Sequence, residues 1–248
     1  MNTIQAAVFG FIQGLTEWLP VSSSAHLAIF NRIMQTDVNL FFYVLLHLGT
    51  LISLIIFFRG RILEYYTDKN SSAFISKKGI YTLLATIPIL IAGFFLHDLI
   101  EAAFTNFFFI GIALIGNGVL LFLTRFFKGT NGINLRNSLT IGLMQVVALI
   151  PGISRSGITI SAGHYMDMKK EDIIMFSMML ALPVITGAFL YELVTTPFVI
   201  TGAMLVGFLV AIGIGYFALW LLIKRIRKGE FYRFWFYCII VGIIMLFN

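Results

Sequence analysis

The sequence contains six apolar segments that are each long enough to cross a lipid bilayer. Spanning about 30 Å of hydrocarbon takes roughly 20 apolar residues in a helix. Hydrophobic residues make up 59% of the 248 residues and charged residues only 11%, whereas soluble domains average about 25% charged residues. We therefore predict an all-α, polytopic integral membrane protein with six transmembrane helices, over about residues 39–58, 80–97, 107–127, 173–194, 198–223 and 231–247.

Two further apolar stretches, about residues 3–33 and 138–163, are each interrupted by a proline followed by serines. The interruptions read "QGLTEWLPVSSSAH" (13–26) and "PGISRSG" (151–157). Proline ends a helix because its ring removes an N–H and clashes with the preceding turn. Irregular backbone at membrane depth persists only inside the protein or along a wet cavity. We therefore predict two re-entrant helical hairpins.

The positive charge is distributed as a topology signal. Fifteen of the seventeen Lys and Arg residues fall in four loops, and the loops at 98–106 and 195–197 hold none. All four basic loops share one face if the second re-entrant segment enters and leaves on the same side. The positive-inside rule makes that face cytoplasmic in a plasma membrane, with both termini on the outer side. The net charge of +6 therefore does not indicate nucleic-acid binding. The basic loops are residues 59–78, 125–137, 164–172 and 224–233.

The two interrupted stretches also resemble each other, and a weaker echo relates the surroundings of Pro88 and Pro183. The predicted topology places the two copies on opposite faces, which makes an inverted-topology repeat, the alternative being a chance likeness of two Pro/Ser turns. We predict one membrane domain over residues 1–248, with halves at about 1–106 and 138–223. The aligned pairs are Gly10 with Gly142, Gln13 with Gln145 and, after a one-residue slip, Pro20 with Pro151 and Ser23 with Ser154.

The serines after each proline predict an anion site. They can cap a new half-helix, whose free N–H groups and positive dipole end suit phosphate. Arg155 adds a guanidinium, which binds phosphate oxygens through paired hydrogen bonds. An arginine in hydrocarbon is costly without a partner. A purely structural Glu17–Arg155 pair is therefore the alternative to ligand binding.

His26 lies on the same helix face as two of these serines if the second half-helix begins near Ser22. A hydroxyl beside a base is the minimal arrangement for an activated nucleophile, and histidine suits proton transfer near neutral pH. Serines are also common in membrane-helix packing, which is the structural alternative. His47 either faces the same cavity or is a hydrogen-bonded core histidine. Asn117 is expected to hydrogen-bond between helices.

The two motifs resemble those of the undecaprenyl-pyrophosphate phosphatase family, the bacitracin-resistance type of membrane phosphatase. The family patterns are (E/Q)GxTExLPxSS(S/T)(G/A)H and PGxSRSG, and both match at nearly every position. The layout is similar over essentially the whole chain. The resemblance implies hydrolysis of a polyprenyl diphosphate to the monophosphate and phosphate at a site open to the outer side. This reaction recycles the lipid carrier of cell-envelope glycan synthesis. The resemblance also implies a divalent cation, Mg²⁺ or Ca²⁺.

Carried over by position, the resemblance implies seven functional residues: Glu17, Ser22, Ser23, His26, Ser154, Arg155 and Ser156. Among them we expect Glu17, Ser23, His26 and Arg155 to be catalytic. We expect Ser23 to form a phosphoserine, His26 to transfer the proton, and Glu17 to orient His26 or bind the cation. Direct attack by water is the alternative. Many family members have glutamate where this chain has Gln13, so any cation must rely on Glu17 and substrate oxygens. The expected substrate-binding residues are Ser22, Ser24, Ser154, Ser156, Gly152 and Gln13.

A transporter is the rival class. Inverted repeats with broken helices are typical of secondary carriers, so the same anion site could serve a flippase for a polyprenyl phosphate. A structural scaffold would not need buried charge. The sequence leaves open the length of the lipid and the oligomeric state, a homodimer being one option.

Overall fold

The computed structural model describes residues 1–36, 38, 40–67, 75–127 and 129–247, and its regular structure is helical. Asn39 of the first predicted span, and Lys69 and Lys128 of two predicted basic loops, lie outside the described residues. The helices are α1 (Thr3–Trp18), α2 (Ser23–Met34), α3 (Leu40–Tyr66), α4 (Lys77–Phe95), α5 (His97–Ala103), α6 (Phe107–Leu123), α7 (Leu135–Gln145), α8 (Arg155–Tyr165), α9 (Lys170–Thr195), α10 (Gly202–Arg227) and α11 (Phe234–Leu246).

Five helices in the described part of the chain are long and apolar enough to cross a membrane, namely α3, α4, α6 with its 3₁₀ extension to Phe126, α9 and α10. This confirms a multi-pass membrane protein. The sixth predicted span corresponds to α11 with the 3₁₀ turn before it, Phe231–Leu246, which is shorter than a usual spanning helix, so the sixth span stays a prediction. Helices α3 and α10 extend to Tyr66 and Arg227, beyond their predicted ends, because arginine and leucine continue a helix well outside hydrocarbon.

Both predicted helix breaks are confirmed. Helix α1 ends at Trp18, two residues before Pro20, and the chain turns before α2 begins. A 3₁₀ turn after α7 ends at Leu149, two residues before Pro151, and α8 begins four residues after that proline. Each proline has no N–H to donate within a helix and disfavours helical conformation in the residue before it, which favours a helix end at this spacing.

Each new half-helix is capped by a serine in the same way. Ser22 Oγ accepts a hydrogen bond from the Ala25 N–H at 3.4 Å, and Ser154 Oγ accepts one from the Gly157 N–H at 3.1 Å. The hydroxyls of Ser22 and Ser24 lie 3.0 Å apart, and those of Ser154 and Ser156 lie 3.1 Å apart.

The matching caps correct one detail of the predicted alignment. Ser22, and not Ser23, is the structural counterpart of Ser154. Ser22 and Ser154 are separated by the same number of residues as Gly10 and Gly142. Only the prolines are therefore offset by one residue. The first motif has one residue between its proline and its capping serine, and the second motif has two.

Close packing holds the first broken segment inside the helix assembly. Helix α1 lies along α10, and a Cβ atom added at Gly10 would stand 2.1 Å from the carbonyl oxygen of Gly207. Helix α7 approaches α4 in the same manner, because a Cβ at Gly142 would stand 2.4 Å from the Ala85 oxygen. Glycine permits these backbone contacts, which bring both motifs to one place between α3, α4, α6 and α9.

Candidate active site

The two motifs meet at a cavity of about 210 Å³. Its polar wall is built from both motifs. Its apolar lining comes from α3, α4 and α9 and from Ala148, Leu149 and Ile153 around the second break. The apolar wall includes Ile89 and Val184, each of which follows the proline of its helix, Pro88 or Pro183. The polar wall consists of Glu17, Ser22, Ser23, Ser24, Ser154 and Arg155, with His47 beside them.

Glu17 is the centre of the polar wall and is almost fully buried. Arg155 Nη2 donates to Glu17 Oε1 at 2.8 Å. The hydroxyl of Ser23 donates to Oε2 at 2.7 Å, and Gln13 Nε2 donates to the same oxygen at 3.0 Å. His47 Nε2 lies 3.5 Å from Oε2, while its Nδ1–H donates to a carbonyl one turn earlier in α3. The sequence left the orientation of His47 open, and its side chain faces the cavity.

The two terminal nitrogens of Arg155 differ, because Nη2 is hydrogen-bonded to Glu17 and Nη1 is not hydrogen-bonded to any described residue. Its side chain is only 12% exposed, and its guanidinium carbon lies 5.5 Å from the ring centre of Trp18, a cation–π distance. Nη1 is buried and has no hydrogen-bond partner among the described residues. A buried donor without an acceptor costs roughly 1–3 kcal/mol, and more on a charged group. Arg155 is therefore paired with Glu17 and still offers a donor to an incoming anion.

His26 is directed away from this cluster. Its Nδ1–H donates to the carbonyl of Ser22 at 2.8 Å, so its Nε2 accepts from the hydroxyl of Tyr237 at 2.6 Å. The two rings stack with centroids 5.6 Å apart. The expected contact between Ser23 and His26 is not formed, because both ring nitrogens have other partners and the Ser23 hydroxyl donates to Glu17.

Asn117 of α6 joins the two motifs. Its Nδ2 donates to the carbonyl of Pro20 at 2.9 Å, and its Oδ1 accepts from the N–H of Ser154 at 3.1 Å. A second link runs from the N–H of Gly152 to Ser22 Oγ at 3.2 Å. Gly152 has φ +108°, a left-handed conformation that only glycine adopts readily. These bonds fix the distance between the two half-helix starts.

Three residues expected to bind substrate lie behind the cavity wall rather than along it. The Gly152 N–H is used by Ser22, and the Ser156 hydroxyl pairs with Ser154 and donates to the Leu19 carbonyl at 3.5 Å. Gln13 reaches the site only through Glu17. Gly152, Ser156 and Gln13 therefore hold Ser22, Ser154 and Glu17 of the cavity wall in place.

Sequence reasoning missed Trp18 and Tyr237, and it gave Asn117 no part in the site. Trp18 stood inside the first motif, next to Glu17, so its position was a usable signal. Tyr237 and Asn117 make their contacts with residues far away in the sequence, and no local pattern marks such contacts.

The described residues do not form a ready-made divalent cation site. They contain no group of three or more His, Cys, Asp or Glu side chains arranged to hold a metal ion. Mg²⁺ and Ca²⁺ need several oxygen ligands. Both oxygens of Glu17 already accept from Arg155, Ser23 and Gln13. Arg155 already neutralises the charge of Glu17, so a divalent cation at this place would add positive charge that the cavity wall does not balance. Glu17 as a metal ligand stays a prediction.

Fold and site together define a class, a polytopic membrane protein in which two broken helices bring serines, an arginine and a glutamate to one cavity. Residues 6–244 match the family model described as "Bacitracin resistance protein BacA", and the chain belongs to this family. The family resemblance of the two motifs is thereby confirmed.

Curated relatives align over nearly their full length. A protein named undecaprenyl-diphosphatase from Korarchaeum cryptofilum is 36% identical over 99% of this chain and 99% of its own. Proteins of the same name from Methanococcus maripaludis and Methanococcus vannielii are 33% and 36% identical, over 98% and 97% of this chain and 99% and 98% of theirs. The transporter alternative finds no support in these relatives.

Proposed function

We propose that this protein hydrolyses an undecaprenyl-type polyprenyl diphosphate to the polyprenyl monophosphate and inorganic phosphate. The observation that carries the proposal is that Arg155, whose buried Nη1 has no hydrogen-bond partner among the described residues, lines the same cavity as Ser23. The name of the full-length relatives supports the same reaction. The reaction returns a lipid carrier to cell-envelope glycan synthesis.

The cavity suits both ends of such a substrate. Arg155 Nη1 supplies a charge-assisted donor for the terminal phosphoryl group, and Ser24 and Ser154 line the same cavity. Val44, Ile89 and other apolar residues of α3, α4 and α9 form the opposite wall, which suits the first prenyl units. A carrier of soluble phosphate would have no use for that apolar wall.

Ser23 is the proposed nucleophile, and Glu17 the proton acceptor. As Ser23 Oγ forms a bond to the terminal phosphorus, its proton passes to Glu17 Oε2 over the existing 2.7 Å hydrogen bond. The bond from phosphorus to the bridging oxygen breaks, and polyprenyl monophosphate leaves as an anion. Arg155 stabilises the charge on the phosphoryl oxygens.

The phosphoserine is then hydrolysed at the same place. A water molecule attacks the phosphorus and the bond from phosphorus to Ser23 Oγ breaks. The proton held by Glu17 returns to Ser23 Oγ, and inorganic phosphate leaves with both protons of the water. His26 is proposed to hold the start of α2 through Ser22 and Tyr237, because neither of its nitrogens faces Ser23. Direct attack by water, with Ser23 as a binding group, is the alternative.

The cation implied by the family is proposed to arrive with the diphosphate. Glu17 alone is too few ligands for a resident ion, whereas the diphosphate brings several oxygens of its own. Gln13 Oε1, which is buried without a hydrogen-bond partner among the described residues, is a further oxygen on the same helix as Glu17. When bound, such an ion would neutralise phosphate charge.

We propose the finer architecture from the same pattern. Six spans and two re-entrant hairpins, arranged as an inverted repeat, are supported by the matching serine caps and by the matching breaks two residues before each proline. The basic loops are assigned to the cytoplasm and the site to the outer side, on the positive-inside rule. Cysteine labelling of loop residues from each side of intact cells tests this orientation.

Phosphate release separates the enzyme from a carrier. Purified protein in detergent is given polyprenyl diphosphates of several chain lengths, and inorganic phosphate is measured. The proposal expects one phosphate per lipid, with the monophosphate as the other product. Binding of the lipid without any phosphate release would favour the carrier and contradict the proposal.

A further inference from the structure

A second and larger cavity lies where α3 and α10 end and α9 begins. Its volume is about 840 Å³. Apolar side chains, among them Phe57, Phe58, Ile174 and Trp220, form its floor. Its rim carries five cationic side chains and one carboxylate, that of Glu171. The cationic residues are Arg59, Arg61, Lys224, Arg227 and Lys228.

The rim cations are not neutralised by the protein. Within the part of the chain that the structure describes, none of the five forms an ion pair with a carboxylate. Their neighbours outside the rim do form such pairs. Lys78 lies 2.9 Å from Asp172, and Arg225 lies 2.7 Å from Glu230. The cavity therefore gathers five cations that have no carboxylate partner among the described residues.

The residues around the cavity are of the types that are common at a membrane interface. Trp220 is 47% exposed, and Lys224 Nζ lies 4.6 Å from the centre of its ring. Tryptophan, lysine and arginine are the residues that favour the headgroup region of a bilayer. Arg59 lies twelve residues beyond His47 on α3, which corresponds to about 18 Å along the helix. The cavity is therefore separate from the active site.

We propose that this cavity binds the phosphate-bearing headgroup of an anionic membrane lipid. Several exposed cations surround an apolar floor, so the site is complementary to a molecule that is anionic at one end and apolar at the other. A free phosphate ion would use the cations but not the floor with Phe57 and Trp220. The occupant is therefore a lipid of the leaflet that faces the basic loops, with its acyl chains against that floor.

Trp220 provides a direct probe of occupancy. The protein is placed in bilayers of phosphatidylcholine that contain equal fractions of brominated phosphatidylglycerol or brominated phosphatidylcholine. The difference in fluorescence quenching between the native chain and Trp220→Phe isolates the signal of this tryptophan. We expect the anionic lipid to quench Trp220 several-fold more effectively than phosphatidylcholine, since each nearby Lys or Arg changes the affinity for anionic lipid by up to about fivefold.

Two matched double variants test the assignment to this cavity. Arg59→Gln/Arg227→Gln removes two rim cations, and Lys77→Gln/Arg136→Gln removes two exposed cations outside the cavity. The rim variant is expected to lose the preference for phosphatidylglycerol and to keep phosphatase activity in detergent, which verifies its fold. The control variant is expected to keep the preference.

Three results would overturn the proposal. Equal quenching by both lipids in the native chain would show that no selective site exists. Equal loss of preference in both double variants would reduce the effect to general surface charge. Displacement of the brominated anionic lipid by millimolar inorganic phosphate would identify an ion site rather than a lipid site.

Discussion

Arg155 and Glu17 form a buried ion pair across the two motifs, with Arg155 Nη2 2.8 Å from Glu17 Oε1. The pair lets each residue remain charged in a dry environment, where an isolated ion would be strongly disfavoured. It also leaves Arg155 Nη1 and the Ser23 contact of Glu17 Oε2 available for chemistry. The geometry shows the predicted ion pair, and ligand binding by Arg155 stays a prediction.

Replacing Ser23 tests the covalent step. Ser23→Ala is expected to lower kcat at least about a thousandfold, because it removes the attacking oxygen. Ser24→Ala, one residue along the same cavity wall, is expected to change KM more than kcat. Rapid quenching of the native protein with a ³²P-labelled diphosphate should leave label on Ser23. Full activity in Ser23→Ala would exclude the phosphoserine.

We expect a divalent cation to bind together with the diphosphate lipid and not to the protein alone. Calorimetric titration of the purified protein with Ca²⁺ or Mg²⁺ is expected to show no tight binding, because Glu17 is the one carboxylate of the cavity wall. Titration in the presence of a non-hydrolysable diphosphate lipid is expected to show binding. Stoichiometric, tight binding to the free protein that Glu17→Gln removes would instead establish a resident site.

Asn117 should control stability as well as activity. Asn117→Leu leaves the Pro20 carbonyl and the Ser154 N–H without their partner and is expected to lower the free energy of unfolding by about 1–3 kcal/mol for each orphaned group. Asn117→Asp keeps the acceptor for Ser154 and should cost less. Unfolding followed by circular dichroism in detergent measures both. Unchanged unfolding in Asn117→Leu would contradict the bridge.

His26 and Tyr237 should act as one unit. We expect His26→Gln, Tyr237→Phe and the double variant to show a coupling of about 0.5–1.5 kcal/mol in the free energy of unfolding, the contribution of one hydrogen bond. Activity should fall in step with stability. Loss of activity in His26→Gln, with unfolding unchanged and no coupling to Tyr237, would return His26 to the role of proton-transfer residue.

Local rules predicted the frame of this site. Pro20 and Pro151 are each followed by serines that cap the next half-helix, and this combination predicted both breaks. Pro88 and Pro183 lack such serines and lie inside α4 and α9. The Glu17–Arg155 partnership also follows, because few charges in such an apolar chain can neutralise one another.

Contacts between distant residues decided the remainder. His26 was expected beside Ser23 from helical spacing. Instead, its Nε2 accepts a hydrogen bond from the hydroxyl of Tyr237, which is 211 residues away in the sequence. Asn117 reaches Pro20 and Ser154 from a third helix. Helical periodicity assigns a face to a residue and does not identify what lies opposite that face.

Phosphate release by Arg155 variants tests the central claim most directly. Initial rates are measured on undecaprenyl diphosphate for the native protein, Arg155→Gln, Arg155→Lys and the surface control Arg136→Gln. We predict a loss of about 10²–10³-fold in kcat for Arg155→Gln, a smaller loss for Arg155→Lys, which keeps the charge without the paired donors, and a native rate for Arg136→Gln. A native rate in Arg155→Gln would contradict the account, because the unpartnered guanidinium nitrogen would then have no part in the reaction.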